Sequence, residues 1–127
     1  EERLPNRFKV ITTESLPYQE YIQQFNQAHI VLDQVLSYDQ GYNALEAMAK
    51  GKVVFTGAEA EFLTHYHLTE KVCINALPDP ESIADELAFL IENPEEIIKT
   101  CQNARAFVEK EHHYVKIAER YLGVWRC

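Results

Sequence analysis

Glu46 is the residue whose surroundings single it out for chemistry. It is a lone carboxylate in the run Gly41-Tyr42-Asn43-Ala44-Leu45-Glu46-Ala47-Met48-Ala49-Lys50-Gly51-Lys52, and a charge in so apolar a stretch is costly unless something polar meets it. Leu45, Met48 and Ala49 recur at i, i+3 and i+4, the spacing of one helical face. Ala44, Ala47 and Ala49 keep the other faces small, so a neighbour can approach closely. Gly51 stands where a glycine ends a helix in the left-handed conformation. Glu46 then lies about one turn inside the helix. The N-terminal amides and dipole of this helix, which begins near Gly41, could hold a phosphate. The plain alternatives are an i, i+4 ion pair of Glu46 with Lys50, and a simple turn or N-cap role for Gly41.

Other polar residues offer less. Asp33-Gln34 and Asp39-Gln40 read as loop residues, with Gln34 and Gln40 expected to be solvated. His65-x-His67 lacks a carboxylate or cysteine partner at ligand spacing, so no metal is expected there or elsewhere. His112-His113 ends a Glu- and Lys-rich helix, a favourable place for positive charge. Cys73 and Cys101 sit on apolar stripes and read as core. With Cys127 they make an odd, widely spaced set without a CxxC, which points to reduced thiols in a cytoplasmic protein. Glu92, Glu95 and Glu96 form a solvated face. No Ser-His-Asp, Cys-His or paired-carboxylate hydrolase arrangement emerges.

The elements that position these residues follow from the pattern. The 127 residues carry 12 basic and 20 acidic side chains, a net charge of -8. That balance argues against a general nucleic-acid or anionic-membrane surface, since both need clustered Lys and Arg. The length is that of one domain, and no stretch of about 18 apolar residues exists to span a membrane. Phe8–Thr12 reads as a strand. Tyr18, Tyr21, Ile22, Phe25 and Ala28 recur at helical spacing after Pro17. Ile30-Val31-Leu32 is an apolar run typical of a strand covered on both faces, and Val53-Val54-Phe55 is a second. A short helix is expected from about Ala58 to Tyr66 and a strand at Val72-Cys73-Ile74. Asp79-Pro80 starts a helix whose buried stripe is Ile83, Leu87, Leu90 and Ile91. Asn93-Pro94 starts another, striped by Ile97, Cys101, Ala104 and Val108, and a last helix runs from about Tyr114 to Leu122. Strands alternating with helices imply right-handed βαβ units and a parallel sheet. The expected fold is an α/β, Rossmann-like sheet of about four strands in a single domain, residues 1–127. Its ligands would sit at the carboxyl ends of the strands, at Asp33–Gln40 and Thr56–Glu61.

The residues from Ala28 to Phe55 resemble the donor-binding half of GT-B retaining glycosyltransferases of group 1 type, which carry a Leu-Glu-Ala-Met-Ala-x-Gly-x-Pro-Val-Val block. Here the block reads Leu45-Glu46-Ala47-Met48-Ala49-Lys50-Gly51-Lys52-Val53-Val54, with Lys52 in place of the proline, a change expected to cost little. Asn103–Glu109 and Ala118–Leu122 resemble the family's last helices less specifically. The resemblance implies that Glu46 accepts hydrogen bonds from the ribose hydroxyls of a nucleotide-sugar such as a UDP- or GDP-sugar. It implies that the backbone of Gly41, Tyr42, Asn43 and Ala44 meets the diphosphate. The family's glutamate eight positions earlier contacts the donor sugar; Tyr38 stands there, with Asp39 beside it as the substitute carboxylate. The family's acceptor-binding domain, and the first two strands of the donor domain with their Arg and Lys, are not among these residues. The expectation is therefore the C-terminal portion of a longer enzyme, inactive in isolation. The full-length protein would act in polysaccharide or glycolipid assembly, peripheral at the inner membrane face. The competing expectation is a non-catalytic Rossmann-like module whose sheet and helices serve protein association. Separately, the absent strands imply that the Phe8–Thr12 strand pairs directly with Ile30–Leu32 or finds a partner in another copy, leaving an exposed edge and some self-association.

Overall fold

The computed structural model describes residues 3–126; Cys127 lies outside them. The chain runs through α1 (Tyr18–Gln27), β1 (Ile30–Leu32), α2 (Tyr42–Ala49), β2 (Val53–Thr56), α3 (Ala60–His65) and β3 (Ile74–Asn75). It closes with α4 (Pro80–Glu92), α5 (Pro94–Glu111) and α6 (Tyr114–Trp125). The three strands form a parallel sheet in the order β1-β2-β3, with Ile30 opposite Val53, Leu32 opposite Phe55 and Phe55 opposite Ile74. This is the expected α/β, Rossmann-like layering, with one strand fewer than expected.

The missing strand is Phe8–Thr12, which carries no strand or helix. Val10 is 55% exposed, and an extended run becomes a strand only when a ladder satisfies its backbone. The neighbouring strand is also shorter than Val72-Cys73-Ile74 suggests. Only the last two residues of β2 reach across, so pairing begins at Ile74 and continues to Asn75. Elsewhere the punctuation holds. Asp79 caps α4 by accepting from the Glu81 amide at 3.2 Å, with Pro80 in the first turn, and Pro94 opens α5. The last helix reaches Trp125 rather than stopping at Leu122, and no residue of it is buried.

All four residues of β2 are buried, because helices cover both faces of the sheet. Val54 faces a cluster with Phe25, Ala44, Ala47, Met48, Phe62 and Phe107. Val53 and Phe55 face a second cluster with Ile74 and Leu90. The α5 helix serves both, giving Ala104 and Phe107 to the first and Ile97 and Cys101 to the second. The buried spine of α2 is Ala44, Ala47 and Met48, while Leu45 and Ala49 are only partly buried. Its small side chains bring α2 close to α5 at Ala104, which is fully buried.

The exit from α2 is a Schellman turn. The Gly51 amide donates to the Met48 carbonyl and the Lys52 amide to the Ala47 carbonyl, both at 3.0 Å, with Gly51 at φ 69°. Lys52 then does more than replace a proline. It is only 6% exposed, and its Nζ donates to the carbonyls of Asn26 at 3.0 Å and Ala28 at 2.6 Å. A lysine thus satisfies the carbonyl end of α1, where the helix dipole favours a cation. Burial, and then repulsion from Lys50, lower its pKa from the ordinary value.

Candidate functional site

The carboxyl ends of the strands converge on a set of hydrogen-bonded polar side chains. Asp33 directly follows β1, Thr56 ends β2 and Asn75 ends β3. The Asp33 carboxylate accepts from Thr56 Oγ1 at 3.2 Å on one oxygen and from Asn43 Nδ2 at 2.9 Å on the other. The Asn43 carbonyl oxygen in turn accepts from the Tyr21 hydroxyl at 2.8 Å. One chain of bonds therefore ties α1, the first turn of α2, β1 and β2 together. Sequence reading missed this role for all four side chains: Tyr21 looked like one member of an apolar stripe and Asn43 like a backbone contributor. Only the placement of Asp33 and Thr56 at adjacent carboxyl ends of parallel strands signals it.

The expected site residues lie on α2 and on the loop that precedes it. Gly41 is the N-cap of α2 in extended conformation and has no side chain to cap the amides that follow. Tyr42, in the first turn, is 93% exposed, and Asn43 and Glu46 continue the same outward face. Ala44 is fully buried, backbone included, so none of its surface is open to a ligand. Glu46 is outside the core, as expected, with its side chain 48% exposed and its Oε1 2.9 Å from Lys50 Nζ. The i, i+4 pair is therefore formed. Lys50 also reaches Asn26 Oδ1 at 3.2 Å and lies over the Phe25 ring. An exposed pair of this kind contributes only about 0.3–0.5 kcal/mol, which leaves the carboxylate free to exchange it for another partner.

Tyr38 and Asp39 lie in the loop between β1 and α2, both exposed. The Tyr38 carbonyl accepts from the Glu59 amide at 3.1 Å. Gln40 is not the solvated residue expected, because its amide donates to the Gly57 carbonyl at 2.7 Å. Gln34 packs beside Gly41, where a Cβ would stand 3.3 Å from its Nε2.

Among the described residues, the histidines and cysteines take no part in the hydrogen-bonded network at the strand ends. The His65 ring meets Tyr66 edge-on. His112 departs from the expected favourable charge: its ring packs against Phe107 and Tyr66, its Nε2 is buried without a partner, and burial lowers its pKa. His113 instead caps α6, its Nδ1 accepting from the Val115 amide at 3.3 Å. Burial pushes the Cys73 thiol up to about 12, so it is core and unreactive. Among the described residues no three His, Cys, Asp or Glu side chains group as a metal site, and no helix is long and apolar enough to cross a membrane.

An exposed carboxylate one turn into a helix, the uncapped N-terminus of that helix and a polar network lie toward the strand carboxyl ends, the side on which open α/β sheets characteristically bind ligands. Comparison with curated proteins and with solved structures returns no match. The family model described as glycosyl transferase-like matches residues 2–123, nearly the whole chain, and the protein therefore belongs to the glycosyl transferase-like family.

Proposed function

We propose that this chain holds a nucleotide-sugar donor, a UDP- or GDP-sugar, for a transferase acting in polysaccharide or glycolipid assembly. In that reading the amides of the exposed Tyr42 and Asn43 and the dipole of α2 meet the diphosphate. Glu46 exchanges Lys50 for the ribose hydroxyls, and Tyr38 and Asp39 face the sugar. The observation that carries the reading is the arrangement of α2. Its N-terminus has no side-chain cap and Glu46 stands exposed about one turn further on, so one extended ligand can meet both. In transfer, the bond from the anomeric carbon to the diphosphate oxygen breaks, a bond to the acceptor oxygen forms and the acceptor hydroxyl gives its proton to the leaving diphosphate. The protein's part is positioning and stabilising the leaving diphosphate. Lys50 and Lys52 lie at the opposite end of α2, so in this reading the helix amides and dipole, and not these lysines, meet that charge, and no metal takes part.

An amide-detected NMR titration with UDP, GDP and ADP tests this. Wild type should show shifts confined to residues 33–61 with one preferred base. Glu46→Ala should weaken binding about tenfold, the worth of a hydrogen bond to a charged group, while Lys50→Ala leaves binding intact. Equal, negligible effects of both variants would leave Glu46 as a helix-pair residue only.

A second reading has its own observation. Leu32, Leu36, Tyr38 and Tyr42 are all exposed near the same pole, and β1 is a sheet edge. These features suit a protein-association module.

A further inference from the structure

The loop that carries Tyr38 and Asp39 is clasped onto the end of β2 from several sides. The Glu59 amide holds the Tyr38 carbonyl at 3.1 Å. The Gln40 side chain crosses to the Gly57 carbonyl at 2.7 Å, its Nε2 lying 3.7 Å from the buried Cys73 Sγ. Asn75 steadies the facing turn, accepting from the Ala58 amide at 2.9 Å. The loop also lies directly on Gly57. A Cβ there would stand 2.5 Å from the Ser37 carbonyl carbon and 2.8 Å from the Asp39 amide nitrogen. These are backbone atoms, which cannot swing aside as a side-chain tip can. Gly57 is not at positive φ, unlike Gly51, so space and not backbone conformation demands its missing side chain.

We infer that Gly57 and Gln40 are positioning residues for the donor-sugar end of the site, setting where the 37–39 backbone presents Tyr38 and Asp39. The inference rests on the nucleotide-sugar reading above. In that reading the ribose and diphosphate rest on α2 and the sugar on this loop. A Cβ at position 57 must push the loop and so separates the two halves of the ligand in their effect.

The test compares UDP-glucose with UDP, and GDP-mannose with GDP, on wild type, Gly57→Ala and Gln40→Ala by amide-detected titration. Wild type should bind the nucleotide-sugar more tightly than the matching diphosphate. In Gly57→Ala that ratio should fall about tenfold, as for one lost hydrogen bond to a charged group, with diphosphate affinity within about twofold of wild type. Gln40→Ala should lower the same ratio less. A parallel loss for both ligands would mark a merely structural role and overturn the inference. An unchanged ratio in both variants, or a wild type that gains nothing from the sugar, would overturn it while the diphosphate site stands. A wild type that binds neither ligand would overturn the inference and the donor reading together. If Gly57→Ala loses its dispersed amide spectrum, Gln40→Ala decides by the same ratio.

Discussion

At the scale of single residues, two cations of one short stretch do different work. Lys50 is a surface partner of Glu46, whereas Lys52 is a buried cap on the carbonyl end of α1. Lys52→Met keeps the aliphatic stem and removes the ammonium, leaving the Asn26 and Ala28 carbonyls without it. We expect a loss of about 2 kcal/mol, the scale of hydrogen bonds to a charged group, read as a lower urea midpoint at unchanged slope. Lys50→Met should cost a few tenths of a kcal/mol at most. His112 carries a pH dependence. Its folded-state pKa lies below its ordinary value of 6.5 because burial disfavours the imidazolium. The unfolded chain therefore binds a proton first as pH falls, and stability present above about pH 6.5 is lost toward the lower folded-state pKa. Glu111 and Asp39 oppose this shift and Arg120 adds to it. Urea midpoints at pH 7.5 and 5.5 should differ for wild type and differ less for His112→Phe; equal differences would remove His112 as the cause.

At the scale of elements, α2 is the piece that joins fold to site. One of its faces is the alanine spine pressed toward α5, another carries Asn43 and Glu46, and its two ends are a bare N-cap and a Schellman turn. The turn makes a separable prediction. Gly51 sits at φ 69° with open space where a Cβ would stand, so Gly51→Ala pays only the left-handed backbone cost of about 1 kcal/mol. Thermal unfolding should show this modest loss with nucleotide binding unchanged. Gly57, crowded at ordinary φ, should behave in the opposite way, shifting the neighbouring loop more than the fold. Much of α2 was legible in its residues: the spacing, the glycine stop and the exposed Glu46. The covered face is the stripe of Ala44, Ala47 and Met48, and not that of Leu45, Met48 and Ala49, which has the same helical period. Periodicity names a stripe, and only the neighbour selects which stripe is covered.

For the whole molecule, the consequence of a three-stranded sheet is that β1 is an edge and Leu32 at its end is exposed. Phe8–Thr12, expected as a strand, forms none. An open parallel edge with apolar side chains is a template for a second copy. Sedimentation should therefore show weak association that grows with concentration and is suppressed in Leu32→Lys. A clean monomer throughout would dismiss this.

The sequence alone determined the α/β class, the order of the helices and the main strands, and the Glu46 block, because periodicity, proline starts and the glycine stop are local and act wherever the chain lies. Tertiary structure alone decided whether an extended run became a strand, since Phe8–Thr12 and Val72–Ile74 depend on a partner across the ladder and not on their own residues. It also decided the polar contacts of the site. Tyr21, Asp33, Asn43 and Thr56 are distant in sequence and meet only when parallel strands bring their carboxyl ends side by side. Gly57 likewise shows no sign in its own neighbourhood of the loop that lies upon it, because steric demand between segments leaves no periodic trace in either one.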